Sequence, residues 1–177
     1  MIETILWDVD GTLLDFAAAE AAAIRRLFAE FALGDCTEEM LRRYSAINKR
    51  WWERLERGEV TRLQVLEGRF REFFTAEGLD ASLAPAFNER YQVCLGDTIV
   101  YRDDSLAIVR ALRGRVRQYV VSNGTVVAQE KKLRLSGLGA LMDGVFLSEE
   151  LGVEKPDPAF FDKVFAAIGP VDRQTVL

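Results

Sequence analysis

The chain contains no histidine. Ser-His-Asp and Cys-His catalysis are therefore excluded within these 177 residues, as is any histidine-ligated metal. Cysteine is almost as scarce. Cys36 and Cys94 stand far apart and form no CxxC pair, so neither a zinc knuckle nor a disulfide framework is expected. Two isolated thiols fit a reducing cytosol, and a cytoplasmic location is expected. The opening "MIETILW" carries Glu3 and lacks the basic start and long apolar middle of a secretory leader. No stretch approaches the roughly 18 apolar residues of a membrane span. Excess positive charge is missing too: the formal net charge is −5, which speaks against a nucleic-acid polymer as partner.

What the chain does have is apolar residues, 49% of the total, enough for a real core. Short runs that are apolar on both faces occur at Ile5 to Val9, Tyr119–Val121 and Val145–Leu147. A fourth, "TVL" at 175–177, stands at the chain end. Such runs suit parallel strands covered on both sides. Helical spacing lies between them, over 104–113, from Val127, Glu130 and Leu133 onward to Leu138, and over 158–168, the last with Asp157 as N-cap and Pro158 at the first helical position. Strands alternating with helices predict an α/β protein, a Rossmann-like doubly wound parallel sheet.

The stretch 17–100 breaks the alternation. It reads as helices only, with breaks at "LGDCT", "RGEVT" and "EGLDASLAP". The expected organisation is an α/β core from 1–16 and 101–177, interrupted by an all-helical insert.

In an open α/β sheet, ligands bind beyond the carboxyl ends of the strands. After the first run come Asp8, Asp10, Gly11 and Thr12; after the second, Ser122, Asn123, Gly124 and Thr125; after the third, Glu154, Lys155 and Pro156. Two carboxylates as close as Asp8 and Asp10 repel by about 4 kcal/mol at ~4 Å in a protein-like dielectric. A divalent cation, Lys155 or a shared proton could offset that repulsion. A hard cation such as Mg²⁺ suits oxygen ligands, and a carboxylate beside it can attack phosphorus.

The motifs "DVDGT", "VVSNG" and "GVEKPDP", in that order and each at a strand end, resemble those of the haloacid dehalogenase superfamily of phosphohydrolases. The helical insert resembles that family's α-helical cap, and its stretch 45–70, "SAINKRWWERLERGEVTRLQVLEGRF", is similar to the pyrimidine 5′-nucleotidase branch. The resemblance implies these roles. Asp8 is the nucleophile that takes the phosphoryl group. Asp10 is the general acid and later the base. Ser122 binds a phosphoryl oxygen, and Lys155 neutralises charge. Asp8 and the Asp10 carbonyl would ligate Mg²⁺, and backbone amides from Val9 to Gly11 and at Asn123 would add donors. Gly11, Thr12, Asn123 and Gly124 are the expected phosphate-binding positions. Asn48, Lys49 and Trp52 of the insert are candidates for holding a base, although the tryptophans could equally fill the insert's own core.

The implied function is Mg²⁺-dependent hydrolysis of a phosphomonoester through an aspartyl-phosphate. The expected partner is a small phosphorylated metabolite, with nucleoside 5′-monophosphates first. Asp10 favours phosphate over halide as leaving chemistry, since displacement of halide needs no acid. Sugar-phosphate or phosphoglycolate phosphatases and phosphomutases share the three motifs. A non-catalytic phosphate-binding module is the alternative from another class. The family's fourth, acidic motif follows the fourth strand and matches nothing in 1–177. Asp172 precedes that run and is no candidate. The chain is therefore expected to be a piece of a longer enzyme.

Overall fold

The computed structural model describes residues 1–177, which divide into two compact units, Met1–Phe16 with Ile99–Leu177, and Ala17–Thr98. No helix is long and apolar enough to cross a membrane.

The first unit is built on a parallel sheet of β1 (Thr4–Trp7), β2 (Arg117–Ser122) and β3 (Gly144–Leu147), in that spatial order. Its register pairs Trp7 with Val120, and Val120 in turn with Val145. Adjacent residues of β2 face opposite sides, which is why an unbroken apolar run was required there. Val120 joins Val9, Leu13, Leu14, Val109, Leu133 and Leu138 on one face. Val121 joins Phe160 and Val164 on the other. Val109 belongs to α5 (Ser105–Leu112) and Leu133 to α6 (Val126–Ser136), whereas Phe160 and Val164 belong to α8 (Pro158–Ile168). A single turn of helix, α7 (Ser148–Leu151), follows β3.

Three local details differ from the sequence expectation. Strand pairing on β1 ends at Trp7, so Asp8 already lies in the turn and Val9 is buried beneath it. The 175–177 run starts a strand only at its second residue: Thr175 still closes a 3₁₀ turn over Arg173–Thr175, and a single parallel bridge joins Val176 to Thr4. The Leu177 N–H donates to the Thr4 carbonyl at 3.0 Å, and the Leu6 N–H to the Leu177 carbonyl at 2.8 Å. The buried side of α6 carries Ala128, Gln129, Lys132, Leu133 and Ser136, while Val127 is exposed. Helix α8 starts as its sequence dictates, with the Asp157 carboxylate accepting from the Ala159 N–H at 2.9 Å ahead of Pro158.

The second unit holds four helices: α1 (Phe16–Glu30, entering from the first unit), α2 (Glu38–Glu56), α3 (Arg62–Ala76) and α4 (Ala84–Leu95). Thr37 caps α2, and Glu38 and Glu39 complement its dipole. A capping box of Thr61 and Gln64 starts α3. Phe28, Tyr44, Phe70, Phe73, Phe74, Phe87 and Tyr91 form one fully buried aromatic cluster, with the Tyr44 and Phe70 rings stacked at 5.1 Å. Aromatic packing of this kind is the main source of stability available to helices too short to persist alone. Gly68 lets α3 approach Trp51: a Cβ there would fall 2.5 Å from the indole ring.

Through this apolar interior runs a charged relay. Glu20 of α1 accepts from the Ser45 hydroxyl and, at 2.8 Å, from the Asn48 amide. The Asn48 carbonyl oxygen accepts from Arg69 of α3 at 2.8 Å, and Asn88 of α4 accepts from the same guanidinium at 3.1 Å. Asn48 is 3% exposed and Arg69 2%. A buried charge is tolerable only when its hydrogen bonds are met, and Asn48 meets one for each end of the relay.

Two outcomes follow. Asn48→Leu keeps the branched outline of the side chain but strips a partner from both Glu20 and Arg69. It should lower the unfolding free energy by about 2–4 kcal/mol, read from the urea midpoint; a change of the size of a surface substitution would overturn the relay. Burial pushes the Glu20 carboxyl above its ordinary value of 4.5, outweighing the lowering by Ser45, Asn48 and Arg69. An acid raised in the folded state contributes stability that is full below the unfolded value and is lost as pH rises through the folded value. Glu20→Gln should therefore remove a falling segment from the stability–pH curve above pH about 4.5. Parallel curves for the two proteins between pH 4 and 8 would contradict this.

Candidate active site

The site forms where the apolar strands run out. A strand buried on both faces cannot accept a charge along its length, so the acids collect in the turn after it. Gly11 makes that turn possible with a φ of +87°, which disfavours a side chain. The Gly11 N–H donates to the Leu14 carbonyl at 2.8 Å, and its carbonyl accepts from Arg102 at 2.9 Å. Gly11 thus shapes the turn, and its amide is already spent, contrary to the expectation that it would donate to an anion.

Asp8 and Lys155, 147 residues apart in sequence, meet here. The Lys155 Nζ donates to Asp8 Oδ1 at 2.7 Å and to the Val121 carbonyl at 2.9 Å. The Thr12 hydroxyl donates to Asp8 Oδ2 at 3.2 Å. The Asp8 side chain remains 37% exposed, so its carboxylate is oriented from behind and open in front. Asn123 fixes the loop that carries Lys155. Its amide donates to the Lys155 carbonyl at 2.8 Å, and its carbonyl oxygen accepts the Lys155 N–H at 2.8 Å. Asn123 therefore splints β2 to the lysine loop through its side chain. Ser122 is buried at the tip of β2, where its Oγ accepts from the Gly124 N–H at 3.0 Å. That accepted bond orients the hydroxyl and leaves its proton to donate.

Asp10 has a different set of partners, both from α6. Gln129 Nε2 donates to Asp10 Oδ2 at 2.6 Å, and Lys132 Nζ forms an ion pair with Oδ1. The two carboxylates at the end of β1 are therefore each paired with a lysine of their own. The repulsion expected from their spacing is met by two lysines, Lys155 as expected and Lys132 in addition. The signal for Lys132 was present: Gln129 and Lys132 are three apart, hence on one helix face, and that face also carries Leu133. A polar pair on the packed side of a helix needs a partner in the interior. The Glu149 carboxylate accepts the Val126 N–H at 2.6 Å at the start of α6.

Asn48, Lys49 and Trp52 all lie on α2 in the helical unit. Asn48 is buried and has both ends of its amide engaged in the relay, so it offers no group to a ligand. Lys49 is 79% exposed and lies 3.9 Å from Glu53. Trp52 is half-buried, its ring 5.9 Å from the Arg62 guanidinium. Trp51 packs on α3 and donates to Glu72 at 2.8 Å.

No group of three or more His, Cys, Asp or Glu side chains is gathered for a metal. The donors present are carboxylate and carbonyl oxygens, which fit a hard cation that keeps several of its waters and do not fit a soft or tightly caged one.

The whole arrangement has close counterparts. The model of the haloacid dehalogenase-like hydrolases matches residues 2–177. The Bacillus subtilis protein YfnB, named a HAD-hydrolase, is 35% identical over 165 residues, 93% of this chain and 69% of its own. Its solved structure with bound magnesium superposes with a TM-score of 0.89, at 33% identity, covering 99% of this chain and 76% of that one. The Escherichia coli pyrimidine 5′-nucleotidase YjjG is 30% identical over 173 residues, 98% of this chain and 74% of its own. A match over almost every residue, together with a strand-end site of this kind, makes this chain a member of the haloacid dehalogenase-like hydrolase family.

Proposed function

We propose that the enzyme is a phosphomonoesterase that works through an aspartyl-phosphate and takes nucleoside 5′-monophosphates. The observation that carries the reading is the pair of acids at the end of β1 with separate cations: Asp8 on Lys155 and exposed, Asp10 on Lys132 and largely covered. One carboxylate is presented as a nucleophile and a second is kept for proton transfer, a division of labour set by surroundings. The relationship to two curated pyrimidine 5′-nucleotidases, each at 30% identity, supports the nucleotide as substrate.

In the first step an Asp8 oxygen bonds to phosphorus and the ester oxygen leaves, taking a proton from Asp10. In the second a water oxygen bonds to the same phosphorus, its proton returns to Asp10, and the bond to Asp8 breaks, releasing phosphate. Lys155 faces the negative charge on Asp8 and the phosphoryl group, and Ser122 donates to a phosphoryl oxygen. Asp8 and the Asp10 main-chain carbonyl would hold Mg²⁺, which supplies charge neutralisation for the transferring group when bound. The acid Asp10 separates this reading from halide displacement and from mere phosphate binding, neither of which needs a proton donor there.

Asp8→Asn should reduce phosphate release from nucleoside monophosphates by about a thousandfold or more, because the amide cannot form the covalent intermediate. Turnover near that of the parent would overturn the reading. Chelation of divalent ions should lower the parent rate by at least about tenfold, restored by added magnesium. A rate indifferent to both treatments would leave Asp8 and the Asp10 carbonyl without a metal role.

A further inference from the structure

Lys132 is 1% exposed, one of the most deeply buried long side chains in the protein. Removing an ammonium from water is costly unless a partner offsets it. Its partner is Asp10, and the ring centre of Phe16 lies 5.3 Å from its Nζ. Gln129, also 1% exposed, takes the other Asp10 oxygen. In doing so it leaves its own Oε1 buried with no hydrogen-bond partner. An unpaired buried carbonyl is destabilising, because it has given up its water and gained no partner. A helix selected for stability alone would carry apolar residues at both positions.

Room for this arrangement has been cut into the neighbouring turn. A Cβ on Gly124 would sit 2.2 Å from Gln129 Nε2, the very atom that donates to Asp10. Gly124 directly follows Ser122 and Asn123, so the turn that presents the Ser122 hydroxyl also admits the Gln129 amide. Both oxygens of Asp10 are thus tied to α6, the helix that grows out of that turn.

We propose that Lys132 and Gln129 are positioning residues for proton transfer: by binding both oxygens of Asp10 they fix its carboxylate relative to Ser122, and Gly124 is small so that they can. The inference rests on the reading of Asp10 as the acid. Neither residue touches the phosphoryl group. Their effect is felt only where the leaving oxygen needs a proton. An alkyl oxygen, as in a nucleoside monophosphate, needs one; nitrophenolate does not.

The test compares first-turnover rates of phosphoryl transfer from an alkyl phosphate, a nucleoside monophosphate, and from p-nitrophenyl phosphate, in Asp10→Ala, Lys132→Met, Lys132→Arg and Gly124→Ala. Asp10→Ala should lower the alkyl-to-aryl rate ratio by about a hundredfold or more, the usual share of general acid catalysis. Lys132→Met should lower the same ratio by about ten- to a hundredfold with KM changed less than about threefold, and Lys132→Arg should restore most of it. Gly124→Ala, which retains the lysine and displaces the Gln129 amide, should move the ratio in the same direction by a smaller amount. If Asp10→Ala shows the leaving-group effect and Lys132→Met slows both esters alike, or neither, positioning is overturned and the acid stands. If Asp10→Ala itself shows no such effect, the acid assignment fails and this inference falls with it. Should Lys132→Met not fold, Lys132→Arg and Gly124→Ala decide: an unchanged ratio in Gly124→Ala overturns the role given to Gln129.

Discussion

Two carboxylates separated by a single residue at the end of a buried strand are the constraint on which this fold is arranged. Neither can retreat into the sheet, and each repels the other. The protein resolves the conflict by giving each acid a separate lysine from a different part of the chain. Lys155 arrives on the loop after β3 and is locked by Asn123. Lys132 arrives on α6 and is locked by burial. The positions of α6 and of the 152–157 loop are therefore tied to the chemistry at β1 as firmly as to the apolar packing of Val120, Val121, Leu133 and Phe160.

The two ion pairs are not equivalent, and the difference is one of solvent. The Asp8–Lys155 pair is open, with side chains 37% and 20% exposed. Water can compete there, so the pair can separate to admit an anion at modest cost. The Asp10–Lys132 pair is closed on the lysine side, where a lost partner would leave a charge stranded in the interior. An exposed pair suits the nucleophile proposed for Asp8, which must be uncovered in every cycle, and a buried one suits the acid proposed for Asp10, which must return to the same place. The helical unit shows the same economy in its own interior, where Asn48 carries hydrogen bonding from Glu20 to Arg69.

Much of the core was legible in the sequence because its apolar runs are short and unbroken, a pattern that parallel strands covered on both faces require. Asp8 was legible because it stands directly beyond such a run, and Lys155 because it lies in the loop that follows another. Lys132 was not, since lysine on a helix is ordinarily solvated, and of the residues from which the helix was read, Val127, Glu130 and Leu133 onward to Leu138, the first two point away from the interior while Leu133 and Leu138 are buried. Apolar residues on a short helix do not define its buried side when the buried side is made for a carboxylate. Asn48 was misread for the mirror-image reason: a polar residue beside two tryptophans looks like a ligand contact, yet here it satisfies two buried charges. The 175–177 run was read as the start of a fourth strand, and Val176 does pair in parallel with Thr4; a pattern three residues long is too short to show that a turn occupies its first residue.

These cases share one physical cause. Hydropathy records how much a side chain gains by leaving water, and it is blind to what that side chain meets on arrival. Glu20, Asn48, Arg69, Gln129 and Lys132 are all buried, and each is buried on another residue of the set or on Asp10 or Ser45. Their partners come from other helices or from the strand-end turn, at separations of 19 to 122 residues. No local window can contain both members of such a pair. The apolar frame can thus be read from neighbours along the chain, whereas the polar pairs that set its chemistry are readable only once the frame has brought their partners together.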